Sequence, residues 1–191
     1  METTFISLGS NCCITWWLRE YGLRKFAFPF DWSNITIKQL ILVLENDFKD
    51  YIDSIEIKFL SDKHPSQEGL ASFVLSNAYN IKFAHEVLTD KHLDDFKLSL
   101  VNRIDRFKKV KDLVVYIRIE LTIIKSGYIK ELQKLLKLLD IINPNYILKL
   151  IIHKNSIKIN LDKVEIHYFN NFSPDWKMSC LNWKTILTNS S

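Results

Sequence analysis

A thiol is the strongest nucleophile among the ordinary side chains once it is ionised, and this chain places one where ionisation is favoured. The stretch from Ile6 to Trp32 reads ISLGSNCCITWWLREYGLRKFAFPFDW. A short apolar run leads into Gly9-Ser10-Asn11, and a pair of cysteines stands where a helix should begin. At a helix N-terminus the unpaired N–H groups and the positive end of the dipole stabilise a thiolate. The same N–H groups can hold the oxyanion of an acyl-transfer intermediate. Cys12 is therefore the candidate nucleophile, with the backbone of Asn11 to Cys13 as oxyanion donor and Ser10 and Asn11 beside the substrate. Cys13 points about 100° further round the helix and reads as core. Cys180 has no motif around it and reads as structural.

A nucleophilic cysteine needs a base, and the chain has five histidines. His85, His153 and His167 fall in or at the end of predicted strands, whereas His64 and His92 read as loop and helix-surface residues. Asp31 could orient the imidazole as the third member of a triad. It could equally cap the helix that follows or anchor its own loop through backbone N–H groups. Trp32 is a candidate wall of the pocket, with Trp16 and Trp17. Arg103 and Arg106 lie three apart on one helix face and could clamp a carboxylate or phosphate. Arg118 ends a buried strand, where a charge needs a partner. There is no C-x-x-C pair and no histidine at ligand spacing from the cysteines, so neither a metal site nor a cofactor is expected.

These residues must be positioned by regular elements. Thr4 to Leu8 is a β-favouring run stopped by Gly9. Ser10 or Asn11 then caps a helix over Cys12 to Tyr21, with Gly22 at its C-terminal end. Leu23 to Trp32 reads as a loop packed on the core, and Thr36 with Gln39 forms a capping box for a helix to Asn46. Tyr51 to Leu60 alternates weakly, Ser61 to Ser72 is polar loop, and Asn80 to His85 is a strand. A long amphipathic helix follows Thr89-Asp90, with Leu93, Phe96, Leu100, Ile104 and Phe107 on one face. Leu113 to Ile119, Tyr146 to Ile152 and Val164 to Phe169 are strands of the buried, β-branched kind. Helices are expected over Tyr128 to Ile142 and Ser179 to Leu187. Strands alternating with long helices predict an α/β fold: a single-domain three-layer sandwich over residues 1–191 with a mainly parallel sheet of about five strands.

Bulk properties narrow the function classes. The chain has 26 basic and 22 acidic residues along its 191 positions, a net charge of +4, which gives no clustered footprint for nucleic acid. No apolar run approaches the roughly 20 residues that span a bilayer, and the start carries no secretory leader pattern. Three cysteines, two of them adjacent, make no disulfide framework. A reducing, cytoplasmic setting is expected, without membrane or nucleic-acid partners.

The run SLGSNC, followed by PFDW at positions 29–32, resembles a family of uncharacterised proteins described as papain-like cysteine peptidases, found in bacteria and in some large DNA viruses. Weaker similarity continues through His85 and the NRIDRF segment into VVYIRIE. The resemblance implies a nucleophile at Cys12 and a histidine at His85, in the chain order of papain-like enzymes. It departs from the family pattern at Asn102-Arg103, where a doubled arginine is usual, and at Glu86, where aspartate is usual. A strand leading directly into Gly-Ser-Asn-Cys is closer to the nucleophile turn of flavodoxin-like esterases than to papain. The expected activity is thus that of a cysteine-dependent hydrolase or acyltransferase acting on a peptide or a small acyl or anionic substrate. The alternatives are a non-catalytic module for an anionic ligand, such as a sugar phosphate or nucleotide, and an interaction protein on a degenerate enzyme scaffold.

Overall fold

The computed structural model describes residues 3–61, 72–83, 90–171 and 175–188. In chain order the elements are β1 (Thr3–Ser7), α1 (Cys13–Glu20), α2 (Ile37–Glu45), β2 (Glu56–Ser61), β3 (Ser72–Ser76), β4 (Lys82–Phe83), α3 (Asp90–Lys109), β5 (Leu113–Ile119), α4 (Gly127–Ile142), β6 (Tyr146–His153), β7 (Val164–Phe169) and α5 (Trp183–Thr188). Four of the strands form one parallel sheet in the order β1-β5-β6-β7. Register runs without slippage: Ser7 lies opposite Ile117, Ile117 opposite Lys149, and Leu150 opposite Ile166.

Side chains alternate across a strand, so each strand feeds two layers. Val114 and Tyr116 of β5 pack in a core with Leu100 and Phe107 of α3 and with Leu132, Leu135 and Leu139 of α4. Val115, Ile117 and Ile119 point the other way, into a second core with Cys13, Ile14 and Leu18 of α1 and Trp183, Ile186 and Leu187 of α5. Both faces are covered, which is why these strands read as continuous apolar runs. The three-layer α/β/α architecture is the one expected.

Among the described residues the parallel sheet has four strands, near the five expected, and α5 starts at Trp183 where Ser179 was expected. The larger differences lie in the middle of the chain. Of the strand expected over Asn80 to His85, Lys82–Phe83 forms β4, which pairs antiparallel with β3 in a separate three-stranded sheet, β2-β3-β4, and the positions from 84 on lie outside the described residues. Residues 51–54 are turn, so the weak alternation of Tyr51 to Leu60 becomes a strand only from Glu56. β3 was not foreseen. Its five residues give too short a run for periodicity to speak.

The connections that leave β1 and β5 part at the carboxyl edge of the sheet. Past β1 the chain enters α1 on one face of the sheet, and past the neighbouring strand β5 it enters α4 on the opposite face. The two connections diverge above adjacent carboxyl ends, and in open α/β sheets ligands bind in such a crevice. Among the described residues no helix is long and apolar enough to cross a membrane.

Candidate active site

The turn from β1 into α1 is built by close packing. The Leu8 N–H donates to the Ile117 carbonyl at 2.9 Å, carrying the β1 pairing one residue past the strand. Gly9 and Ser10 then both adopt φ of +73°. A Cβ on Gly9 would lie 2.1 Å from Ile35 Cγ2, so only glycine admits this approach. The Ser10 hydroxyl donates to the Ile119 carbonyl, stitching the turn to the end of β5. Asn11 Oδ1 accepts the Cys13 N–H at 2.8 Å. Neither Ser10 nor Asn11 is the cap residue that was expected: α1 begins one residue later, and Asn11 reaches its first N–H from the position before the cap. Cys12 is the N-cap residue, and its carbonyl accepts the Trp16 N–H at 3.1 Å.

Two expectations change here. The Cys13 N–H is taken by Asn11, so the donor set for an oxyanion contracts towards the N–H of Cys12 itself. Burial pushes the Cys12 thiol up from its ordinary range, and the residue's own backbone N–H only partly opposes it. A short helix whose first N–H is already capped offers little positive potential, and desolvation of the half-buried sulfur wins. Cys13 is fully buried, and burial, followed by the neighbouring Cys12, pushes its thiol far above any working range. Cys13 is core, as expected, and Cys180 is exposed.

Asp31 sits 16 residues beyond Thr15 of α1 in sequence but against it in space. Its carboxylate accepts from Arg24 Nε at 2.9 Å, the Phe28 N–H at 3.1 Å and the Thr15 hydroxyl at 3.3 Å. These contacts describe an anchor for the PFDW loop. Trp32, at φ +60°, directs its N–H to Thr15 Oγ1 at 3.5 Å, and the Arg19 guanidinium lies 6.0 Å from its ring centroid. Both PFDW residues therefore lock that loop onto α1.

The arginines are used from the other side. Arg106 donates to the Ala27 carbonyl at 2.6 Å. Arg103 lies 5.8 Å from the Phe96 ring centroid, and its charge reaches Asp31 and Tyr51. Arg106 ties α3 to the loop of residues 26–31, and Arg103 is within electrostatic reach of Asp31 in the same loop. Arg118 is fully buried and donates to Glu120 at 2.6 Å and to the carbonyls of Leu8 and Ile35, each at 3.1 Å. Its substrate-binding role gives way to a structural one, because a side chain with no exposed surface reaches no ligand. Tyr128 donates to the same Glu120 oxygen at 2.7 Å, linking α4 to the Cys12 turn. Glu120 was missed at the sequence level. It stands two residues from Arg118 on the same face of the chain, where strand alternation could have found it.

Among the histidines, His153 uses both ring nitrogens. Nε2 is 2.8 Å from the Asn170 carbonyl, and Nδ1 accepts the Asn155 N–H at 3.1 Å. His167 lies 2.8 Å from Glu165 on β7, and burial pulls its imidazole down against the attraction of that carboxylate. β7 is three strand spacings from β1, about 14 Å, too far to serve Cys12 directly. His85 lies outside the described residues. Among the described residues no group of three or more His, Cys, Asp or Glu could hold a metal ion.

An uncharacterized protein of Acanthamoeba polyphaga mimivirus is 31% identical over an alignment of 219 positions that covers 98% of each chain. No solved structure matches this chain. The family model that does match covers residues 3–154, a span holding β1, the Cys12 turn, the PFDW loop, the buried Arg118 tie and the whole of β6; the chain belongs to the family described as "putative papain-like cysteine peptidase".

Proposed function

We propose that this protein is a cysteine-dependent acyl hydrolase or acyltransferase, with Cys12 as nucleophile and His85 as base. The observation that carries this reading is the position of Cys12, at the start of a helix and just past the carboxyl end of β1, beside β5, where the two connections leave on opposite faces. The imidazole of His85 would take the thiol proton while the sulfur adds to the substrate carbonyl. That proton then passes to the departing amine or alcohol, and water or a second acceptor resolves the thioester. A base is required because burial holds the resting thiol protonated. The binding-module reading draws no support from the arginines, since Arg103, Arg106 and Arg118 all make internal contacts.

Alkylation by iodoacetamide, followed at Cys12 by peptide mapping, tests the dyad. The wild-type protein should react at pH 7 at least about tenfold faster than His85→Ala, whose rate should climb only above the ordinary thiol range near 8.5. A wild-type profile that itself rises only above that range removes the base from the mechanism.

A further inference from the structure

The aromatic residues of α1 divide into two groups. Trp17 is core: its ring stacks on Trp183 at 5.8 Å between centroids, and its Nε1 donates to the Lys177 carbonyl at 2.7 Å. Trp16 is half-buried and packs outside both cores. It stands edge-on to Trp176 at 6.2 Å, and Trp176 is 45% exposed. The Lys177 ammonium lies 4.3 Å from the centroid of Trp16 and 5.6 Å from that of Trp176. An amine seated on two indoles, one of them open to solvent, is a positive charge on an apolar floor, with the Asp175 carboxylate within its electrostatic reach.

Its distance from the nucleophile follows from the helix. Trp16 is one turn after Cys12, bonded to it through the backbone, and helical side chains lean toward the N-terminus. That lean directs the Trp16 indole toward the turn that carries Cys12. The segment bearing Lys177 is held in place as well. Asp175 accepts from the N–H of Lys177 at 3.0 Å, the N–H of Ser179 at 3.2 Å and the Ser179 hydroxyl at 2.6 Å, and its charge reaches Cys13 at the start of α1. This segment lies beyond the 3–154 span of the family match, so the charge is added to the site from outside it.

We infer that Lys177, seated on Trp16 and Trp176, is the anion-recognising residue of the site at Cys12, and that the substrate is a peptide or acyl compound carrying a carboxylate about one helical turn from its reacting carbonyl. The choice of substrate class rests on the reading of Cys12 as nucleophile. The indoles exclude water beneath the ammonium, which strengthens its attraction for a carboxylate over an uncharged amide of the same shape.

Two electrophiles differing only in that group, iodoacetyl-β-alanine and its carboxamide, measure the preference at low salt. Wild-type Cys12 should favour the carboxylate reagent. The ratio of the two rates should fall about tenfold in Lys177→Glu and about threefold in Trp176→Ala. A ratio that is the same in all three proteins overturns the inference. A second measurement needs no reaction: Cys12→Ser protein titrated with benzoate and with benzamide, read by tryptophan fluorescence. Tighter binding of benzoate, lost in Lys177→Glu, is the expected result, and equal binding of both or of neither overturns it. A Cys12 inert to both electrophiles alongside an intact benzoate preference would remove the nucleophile and leave the anion site standing.

Discussion

A carboxylate beside an arginine is ordinarily held low, yet burial pushes Asp31 upward, against the pull of Arg24 and of the Phe28 N–H. The folded chain then binds this proton more tightly than the unfolded chain does. Its contribution to stability is complete below the ordinary carboxylate value of about 3.9 and is lost as pH rises through the higher folded value. Asp31→Asn removes the titration. In urea unfolding, the wild type should therefore lose stability relative to Asp31→Asn on going from pH 4 to pH 7. The opposite trend would mean that the Arg24 pair, 2.9 Å long but one-fifth exposed on the arginine side, outweighs the burial. The anchoring role of Asp31 was already one of the alternatives in the sequence, because a polar residue in an aromatic loop has backbone N–H groups to satisfy. The direction of the Cys12 thiol was not legible. Helix position is written in the sequence, but the depth of a sulfur depends on residues packed around it from elsewhere in the chain.

At the scale of elements, what could be read was what local chemistry decides alone. The capping box of α2 is present in full: Thr36 accepts the Gln39 N–H at 3.3 Å, and the Thr36 N–H returns to Gln39 Oε1 at 2.8 Å. The parallel strands were legible for a different reason, since burial on both faces leaves β-branched runs such as Leu113–Ile119 with no polar interruption before Arg118. β4 has two residues, and such a strand is set by its partner rather than by its own pattern. The β1–α1 turn joins both kinds of information, because its Gly9 is visible in sequence but the Ile35 contact that demands it is not. Gly9→Ala meets a contact at 2.1 Å and an unfavourable φ together. A loss of about 3 kcal/mol in urea unfolding is expected, from overpacking and left-handed strain combined. A loss below about 1 kcal/mol, the scale of a φ penalty alone, would show that Ile35 can give way.

The described residues of the molecule pack in two cores, and the second is divided between the family-matched span and the segment after it. Cys13, Ile14, Leu18, Val115, Ile117 and Ile151 come from within residues 3–154, while Phe169, Met178, Trp183, Ile186 and Leu187 come from beyond. Lys149 joins the parts through the sheet: it is fully buried, donates to the Ile186 carbonyl at 2.8 Å, and has its ammonium pulled down by burial. An α1 without α5 would turn Trp17 and Cys13 toward water. The C-terminal segment is therefore required by the layer that carries Cys12, and its anion-binding turn is fixed to the same helix. A chain ending at residue 154 should lose cooperative thermal unfolding by circular dichroism, and its Cys13 should become open to iodoacetamide, whereas Cys13 of the intact protein stays silent. Trp183→Ala makes the same point in a full-length chain, with an expected loss of about 3–5 kcal/mol from the cavity left against Trp17. If the 154-residue chain melts cooperatively with Cys13 still protected, the matched span closes its own second layer. The C-terminal segment would then be an addition that brings Lys177 to the site without holding the site together.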